Sequence, residues 1–192
     1  MKLQNRDGTG AVLAVILTLL LCMSSAAART GGTMTFSLTS SAFENMGPIP
    51  ARYTCEGENI SPPLSWSRLP TGTKSLVLIV DDPDAPDPAA PKLTWVHWLL
   101  YNIPPDMPGF DAGAGNRPLP PGVSEGIGNS KRKGYSGPCP PIGTHRYFHK
   151  LYALDVLLTG LASPDKAKLE AAMKEHVIGE AVLTGTYRKA GR

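Results

Sequence analysis

Three carboxylates, Asp81, Asp82 and Asp84, stand together where the apolar run 76–80 ends, and Pro83 and Pro86 stiffen the chain around them. Each proline fixes its own φ, gives up an N–H and turns the residue before it away from helix. Polar groups held this way at the end of a buried run suit a site at the rim of a core. Two further stretches offer matching chemistry: His97 inside 94–102, and His145-Arg146-Tyr147 just after the Gly- and Pro-rich segment 134–144. Imidazoles, a phenol and glycine N–H groups all donate to an anion such as phosphate, while a carboxylate beside an imidazole selects its tautomer. The plainer reading of the same residues is a capped turn for Asp82 and Asp84 and a satisfied core histidine for His97.

Other chemistries find less support. There is no G-x-G-x-x-G opening a helix, no Walker loop, no H-E-x-x-H and no G-x-S-x-G elbow. Asp82-x-Asp84 begins like a calcium loop, but Pro86 and Asp87 occupy positions that need an acid or amide and a glycine. A His–Asp pair activating water or Ser136 would make a hydrolase. Asp82, His97 and His145 would offer a divalent metal two imidazoles and a carboxylate.

The elements that must position these residues read as mainly β. The run 76–80 has no polar alternation, as expected of a strand covered on both faces, and 94–102 is covered likewise. Period two puts His97 on the face of Trp95, Leu99 and Tyr101, within reach of the acidic turn on a neighbouring strand. The longest strand is expected over 145–157, with His145 and Tyr147 on one side and Arg146 and Phe148 on the other. Shorter strands are expected at 34–38, 64–66, within 122–129 and at 180–187, while 106–121 reads as a loop with little to pack. Ser163 and Pro164 mark a helix start, followed by a stripe of Leu169, Ala172, Met173, His176 and Val177. His176 there complements the helix dipole.

At the other end, Lys2 and Arg6 precede the apolar stretch 11–23, and Ala26, Ala27 and Ala28 follow. This pattern predicts a secretory signal over 1–28, cleaved after Ala28, then a tether over 29–33 and one domain over 34–192. The stretch is short for a membrane span, and the bulky Leu20 and Leu21 before Cys22 disfavour a lipoprotein anchor. The expected location is periplasmic or secreted, with no integral span after cleavage. The chain carries 19 Lys and Arg against 16 Asp and Glu, and the signal takes Lys2, Arg6 and Asp7 with it. So balanced a charge gives nucleic acid no footing. Beyond Cys22 there are Cys55 and Cys139, either a disulfide or two separate buried thiols.

Taken together, Asp82-Pro83-Asp84-Ala85-Pro86, Trp95-Val96-His97-Trp98, Gly137-Pro138 and Gly143-Thr144-His145-Arg146-Tyr147 resemble the phosphatidylethanolamine-binding protein family, also called Raf-kinase-inhibitor-like proteins. The likeness is to the bacterial branch in particular, and the segment 59–66 resembles that branch's entry to its core. It runs from Phe36 to Tyr187. The resemblance implies a β-sandwich with short peripheral helices, one helix in the C-terminal region, and a cofactor-free anion pocket for phosphate or a phospholipid head group. It assigns ligand binding to Asp82, Asp84, His97, Gly137, Pro138, His145 and Tyr147, names no catalytic residue, and argues against a metal. It also implies a possible homodimer and a possible protein partner, for which the excursion 106–121 is the candidate loop. The C-terminal segment 180–192 reads as strand, unlike the long closing helix of the animal members.

Overall fold

The computed structural model describes residues 35–190. Its centre is a five-stranded sheet of order β6-β4-β3-β7-β8, built from β3 (Ser75–Asp82), β4 (Trp95–Ile103), β6 (Ser124–Glu125), β7 (His145–Leu154) and β8 (Val177–Tyr187). A smaller sheet of order β1-β2-β5 pairs β1 (Ser37–Thr39), β2 (Leu64–Ser67) and β5 (Gly109–Phe110). Every pairing between named strands is antiparallel. β3 is buried along its whole length, because both faces of the large sheet are covered. On one face Leu76, Leu78, Val80, Trp98 and Leu151 pack with Trp66 and Phe110 of the smaller sheet. On the other face Val77, Ile79, Leu99 and Tyr101 meet Leu169 and Met173 of α1 (Lys166–Met173). The short helical turns at Ala51–Tyr53, Ala114–Asn116 and Lys174–His176 are 3-10.

Several expected boundaries move, each for a local reason. The first strand pairs only over Ser37–Thr39, opposite Ser65–Ser67. The stretch 106–121 is not an idle loop: Phe110 is buried edge-on to Trp66, in the two-residue strand β5. β8, at eleven residues, is longer than β7 because it takes up the chain directly after the last helical turn, at Val177. That removes Val177 from the helical stripe. The helix is capped by Asp165, whose carboxylate accepts from the Lys168 N–H at 2.9 Å, not by Ser163. Pro164 lies outside the helix, with its carbonyl engaged by the Ile127 N–H. His176 bonds Asp155 at 3.0 Å rather than serving a helix end.

The most consequential departure is in β4. Opposite β3, Val80 pairs with Trp98 but Asp81 pairs with Val96, so His97 is an extra residue in a bulge. Alternation is broken there. His97 therefore does not share a face with Leu99 and Tyr101; it lies on the sandwich side, edge-on to Tyr147. A second irregularity surrounds Asn102, whose φ of 56° lies in the left-handed region and whose side-chain amide bonds both the N–H and the carbonyl of Leu158.

Candidate functional site

The last residues of β3, the bulge of β4, the first residues of β7 and the segment 134–144 converge at one end of the large sheet. Asp82 ends β3 pointing to the sandwich side. One of its oxygens accepts from His145 Nδ1 at 2.7 Å, and the other accepts from the Asp84 N–H at 2.8 Å and so closes the turn. His145 Nε2 faces the Ile142 carbonyl at 3.0 Å. Both partners of this imidazole are acceptors.

His97 is held differently. Its Nδ1 donates to the Ser136 carbonyl at 2.6 Å, and its own carbonyl accepts the Ser136 N–H at 3.1 Å. The other ring nitrogen, Nε2, is buried and has no partner. Burial, the largest influence, holds the His97 pKa below its usual value, against the opposing pull of the Ser136 bond and the Asp82 charge. Tyr147 lies 5.3 Å from His97 edge-on and stacks on His145 at 6.4 Å, centroid to centroid. Its hydroxyl too is buried without a partner, and burial pushes its pKa up.

Around these groups is a cleft of about 250 Å³. Asp82, His97, Ser136, Gly137 and His145 line its polar part, and Pro86, Leu93, Trp95, Pro140 and Pro141 its apolar part. The Ser136–Pro141 wall is fastened from behind. The Gly137 N–H donates to Asn59 Oδ1 at 2.8 Å, the Pro138 carbonyl accepts from the Cys55 N–H at 3.0 Å, and a disulfide joins Cys55 to Cys139. Only glycine fits at 137, since a Cβ there would stand 2.5 Å from Asn59 Oδ1 and 2.7 Å from the Tyr53 carbonyl.

Of the residues expected at the site, Asp82, His97, Gly137 and His145 line the cleft and Tyr147 packs against both histidines. Pro138 supports the wall without lining it. Asp84 is turned away. Its carboxylate takes the Arg146 backbone N–H at 2.9 Å and the guanidinium at 2.9 and 2.7 Å, which holds its pKa below the ordinary value and raises that of Arg146. Nor is Gly137 N–H free to donate, because Asn59 occupies it. It is also His145, not His97, that the carboxylate orients. Sequence reasoning missed Asn59, whose φ of 56° fits a residue that tolerates left-handed backbone, and the apolar Leu93 and Trp95. It missed His149 as well, buried beside Phe43 with both ring nitrogens unpartnered and its pKa lowered by burial to about 4. Among the described residues no group of three His, Cys, Asp or Glu side chains is placed to hold a metal ion.

Comparison with known proteins agrees with this architecture. The family model for phosphatidylethanolamine-binding protein matches residues 39–188. A UPF0098 protein of Methanothermobacter thermautotrophicus is 50% identical over 158 residues, covering 80% of this chain and 99% of the relative. Among solved structures, the homolog CT736 of Chlamydia trachomatis superposes with a TM-score of 0.74 at 42% identity, over 81% of this chain and 99% of the other. Escherichia coli YbcL does so at 0.73 and 31% identity, over the same shares. With the family model spanning residues 39–188 and relatives of this similarity beside it, the chain belongs to the phosphatidylethanolamine-binding protein family.

Proposed function

We propose that the protein is a cofactor-free binding protein whose cleft takes a small phosphorylated ligand, such as a phospholipid head group. The observation that carries the reading is the pair of buried, unpartnered polar atoms, His97 Nε2 and Tyr147 Oη, beside a cleft that His97 itself lines. Buried polar atoms are nearly always satisfied, so two together without protein partners suit a site completed by a ligand. Trp95 and Leu93, 37% and 44% exposed, give the mouth an apolar edge for the organic part of such a ligand. The signal-like segment 1–28 supports action in the periplasm or outside the cell, where the Cys55–Cys139 disulfide is at home. Partnership with a second copy or with another protein belongs to the same proposal.

A hydrolase finds less support in the geometry. The His–Asp pair is His145 with Asp82, and the far nitrogen of that imidazole, Nε2, faces the Ile142 carbonyl rather than the Ser136 hydroxyl. His97 reaches Ser136 through the carbonyl and not the hydroxyl. An inhibitory role through 106–121 loses its free loop, because Phe110 anchors that excursion in the core.

Titration calorimetry with phosphate and phosphoethanolamine, beside a His97→Ala/His145→Ala variant, tests the proposal. Saturable binding that disappears in the folded variant is the expected result. Binding that survives the double substitution would move the site elsewhere.

A further inference from the structure

His97 lines the cleft and Tyr147 packs edge-on against it, and between them they hold an unequal pair of buried, unpartnered atoms. The Ser136 carbonyl is an acceptor, so Nδ1 keeps its proton and Nε2 of the neutral ring is a lone pair. The Tyr147 hydroxyl is a donor with nothing to donate to. A fully ionised phosphate oxygen has only lone pairs. It can accept from Tyr147 but meets the neutral His97 lone pair to lone pair.

Resting on the binding function proposed above, we infer that His97 Nε2 reads the protonation state of the phosphate, so that binding always places one proton between Nε2 and a ligand oxygen. A monoester monoanion brings that proton itself, its P–OH donating to Nε2 while another oxygen accepts from Tyr147. A phosphodiester has no P–OH, so Nε2 must first take a proton from solvent, and the complex is an imidazolium against a monoanion. No bond to phosphorus forms or breaks in either case. Both ligands therefore bind less tightly as the pH rises, the monoester above its own second pKa and the diester above that of His97.

The neighbouring charges do not supply the proton. The titratable groups nearest His97 are Asp81 and Asp82 from β3, of which Asp81 turns to the opposite face, and His145, Tyr147 and His149 from β7. Asp82 is bonded by His145 and Asp81 by Lys150 and Lys166, so neither carboxylate contacts the His97 ring. His145 is held between Asp82 and the Ile142 carbonyl, and His149 lies against Phe43 and outside the cleft. From the loop, the Tyr135 hydroxyl is turned to the Tyr53 carbonyl, and Glu125 accepts from Trp98. Burial lowers the His97 pKa, which disfavours the charged ring.

The test is calorimetry of the purified protein with phosphoethanolamine, a monoester, and glycerophosphoethanolamine, a diester, between pH 5.5 and 8.5 in two buffers of different ionisation enthalpy. Near pH 7.5 the diester should bind with uptake of one proton, and its affinity should fall about tenfold for each pH unit above 6.5. The monoester, whose second pKa is about 6, should take up only about a quarter of a proton at pH 5.5. Tyr147→Phe should weaken both ligands and leave the proton count at one, whereas His97→Gln should abolish uptake with the diester. Diester binding without proton uptake at pH 7.5, or uptake unchanged in His97→Gln, overturns the inference and leaves the binding function standing. If the wild-type protein binds neither ligand at any pH, the function and the inference fall together. Should His97→Gln not fold, the wild-type proton count decides.

Discussion

Asp81 and Asp82 are chain neighbours that serve opposite faces of the large sheet, and their surroundings divide structure from site. Asp81 points to the helix side, fully buried, with Lys150 Nζ at 2.9 Å and Lys166 Nζ at 2.8 Å. Lys166 opens α1, so this cluster pins the helix to the sheet. Asp82 points to the sandwich side, where it orients one histidine beside another whose Nε2 has no partner. Buried charges surrounded by compensating charge are finished. An unpartnered buried atom on a residue that lines a cleft is a place for a ligand.

The largest effect that would break this division is on Asp81. Asp81→Asn should strand two lysines that are only a quarter exposed and cost about 3–5 kcal/mol in urea unfolding, with phosphate affinity of the folded protein unchanged. Asp82→Asn should do the reverse. Its carbonyl can still accept from the Asp84 N–H, so stability falls by about 1–2 kcal/mol while binding is lost, because His145 no longer has a carboxylate to hold it. Equal losses of stability and binding in both variants would dissolve the distinction.

Next comes the wall of the cleft. The disulfide spans 84 residues, for which chain entropy gives about 4.5 kcal/mol at most. Cys55→Ser/Cys139→Ser should lose up to that much in denaturant titration. Weaker phosphate binding should accompany it, since beyond Pro138 the wall is otherwise held chiefly by the His145 bond to Ile142. A variant of full affinity would show that the hydrogen bonds to Asn59 and Cys55 suffice.

How much of this the sequence shows depends on how local each cause is. Apolar runs identify β3 and β4, and the Asp-Pro turn and His145 lie at strand ends where period two works, so Asp82 and His145 are readable. His97 is not placed correctly by the same rule, because one bulge residue inverts alternation and the bulge exists only against β3. The contrast between Asp81 and Asp82 is likewise invisible. Lys150 and Lys166 lie far along the chain, and nothing near Asp81 announces them. Phe110 looks idle until the smaller sheet supplies Trp66 and the larger one Trp98.

Acid sharpens the comparison of faces further, since the unpartnered histidines lie on the sandwich side. His149 has a pKa lowered by burial from 6.5 to about 4. Above pH 6.5 both folded and unfolded states are neutral there. As the pH falls towards 4 the unfolded chain takes a proton that the folded one refuses, so stability drops by about 3 kcal/mol across that window. His149→Phe should flatten this slope in unfolding measured from pH 7 to 4. A slope that persists would assign it to His97, whose pKa is lowered in the same direction.

The smallest effect belongs to the third carboxylate. Asp84 is bonded in a fork by Arg146, but the guanidinium is half exposed, and the Arg146 backbone N–H supplies a bond that no side-chain change removes. Arg146→Ala should therefore cost only about 1 kcal/mol. It should also move the Asp84 pKa back up towards its ordinary value, because the guanidinium is the largest influence lowering it. In the wild type that lowered pKa stabilises the fold above the ordinary carboxylate value and is lost as the pH falls through the folded one, so the variant should lack part of that acid-sensitive stability. Carboxyl NMR titration of Asp84, read beside phosphate affinity, separates the two roles left for this residue. An unchanged affinity keeps Asp84 and Arg146 at the rim as structure, whereas a large loss would make the turn they brace part of the cleft.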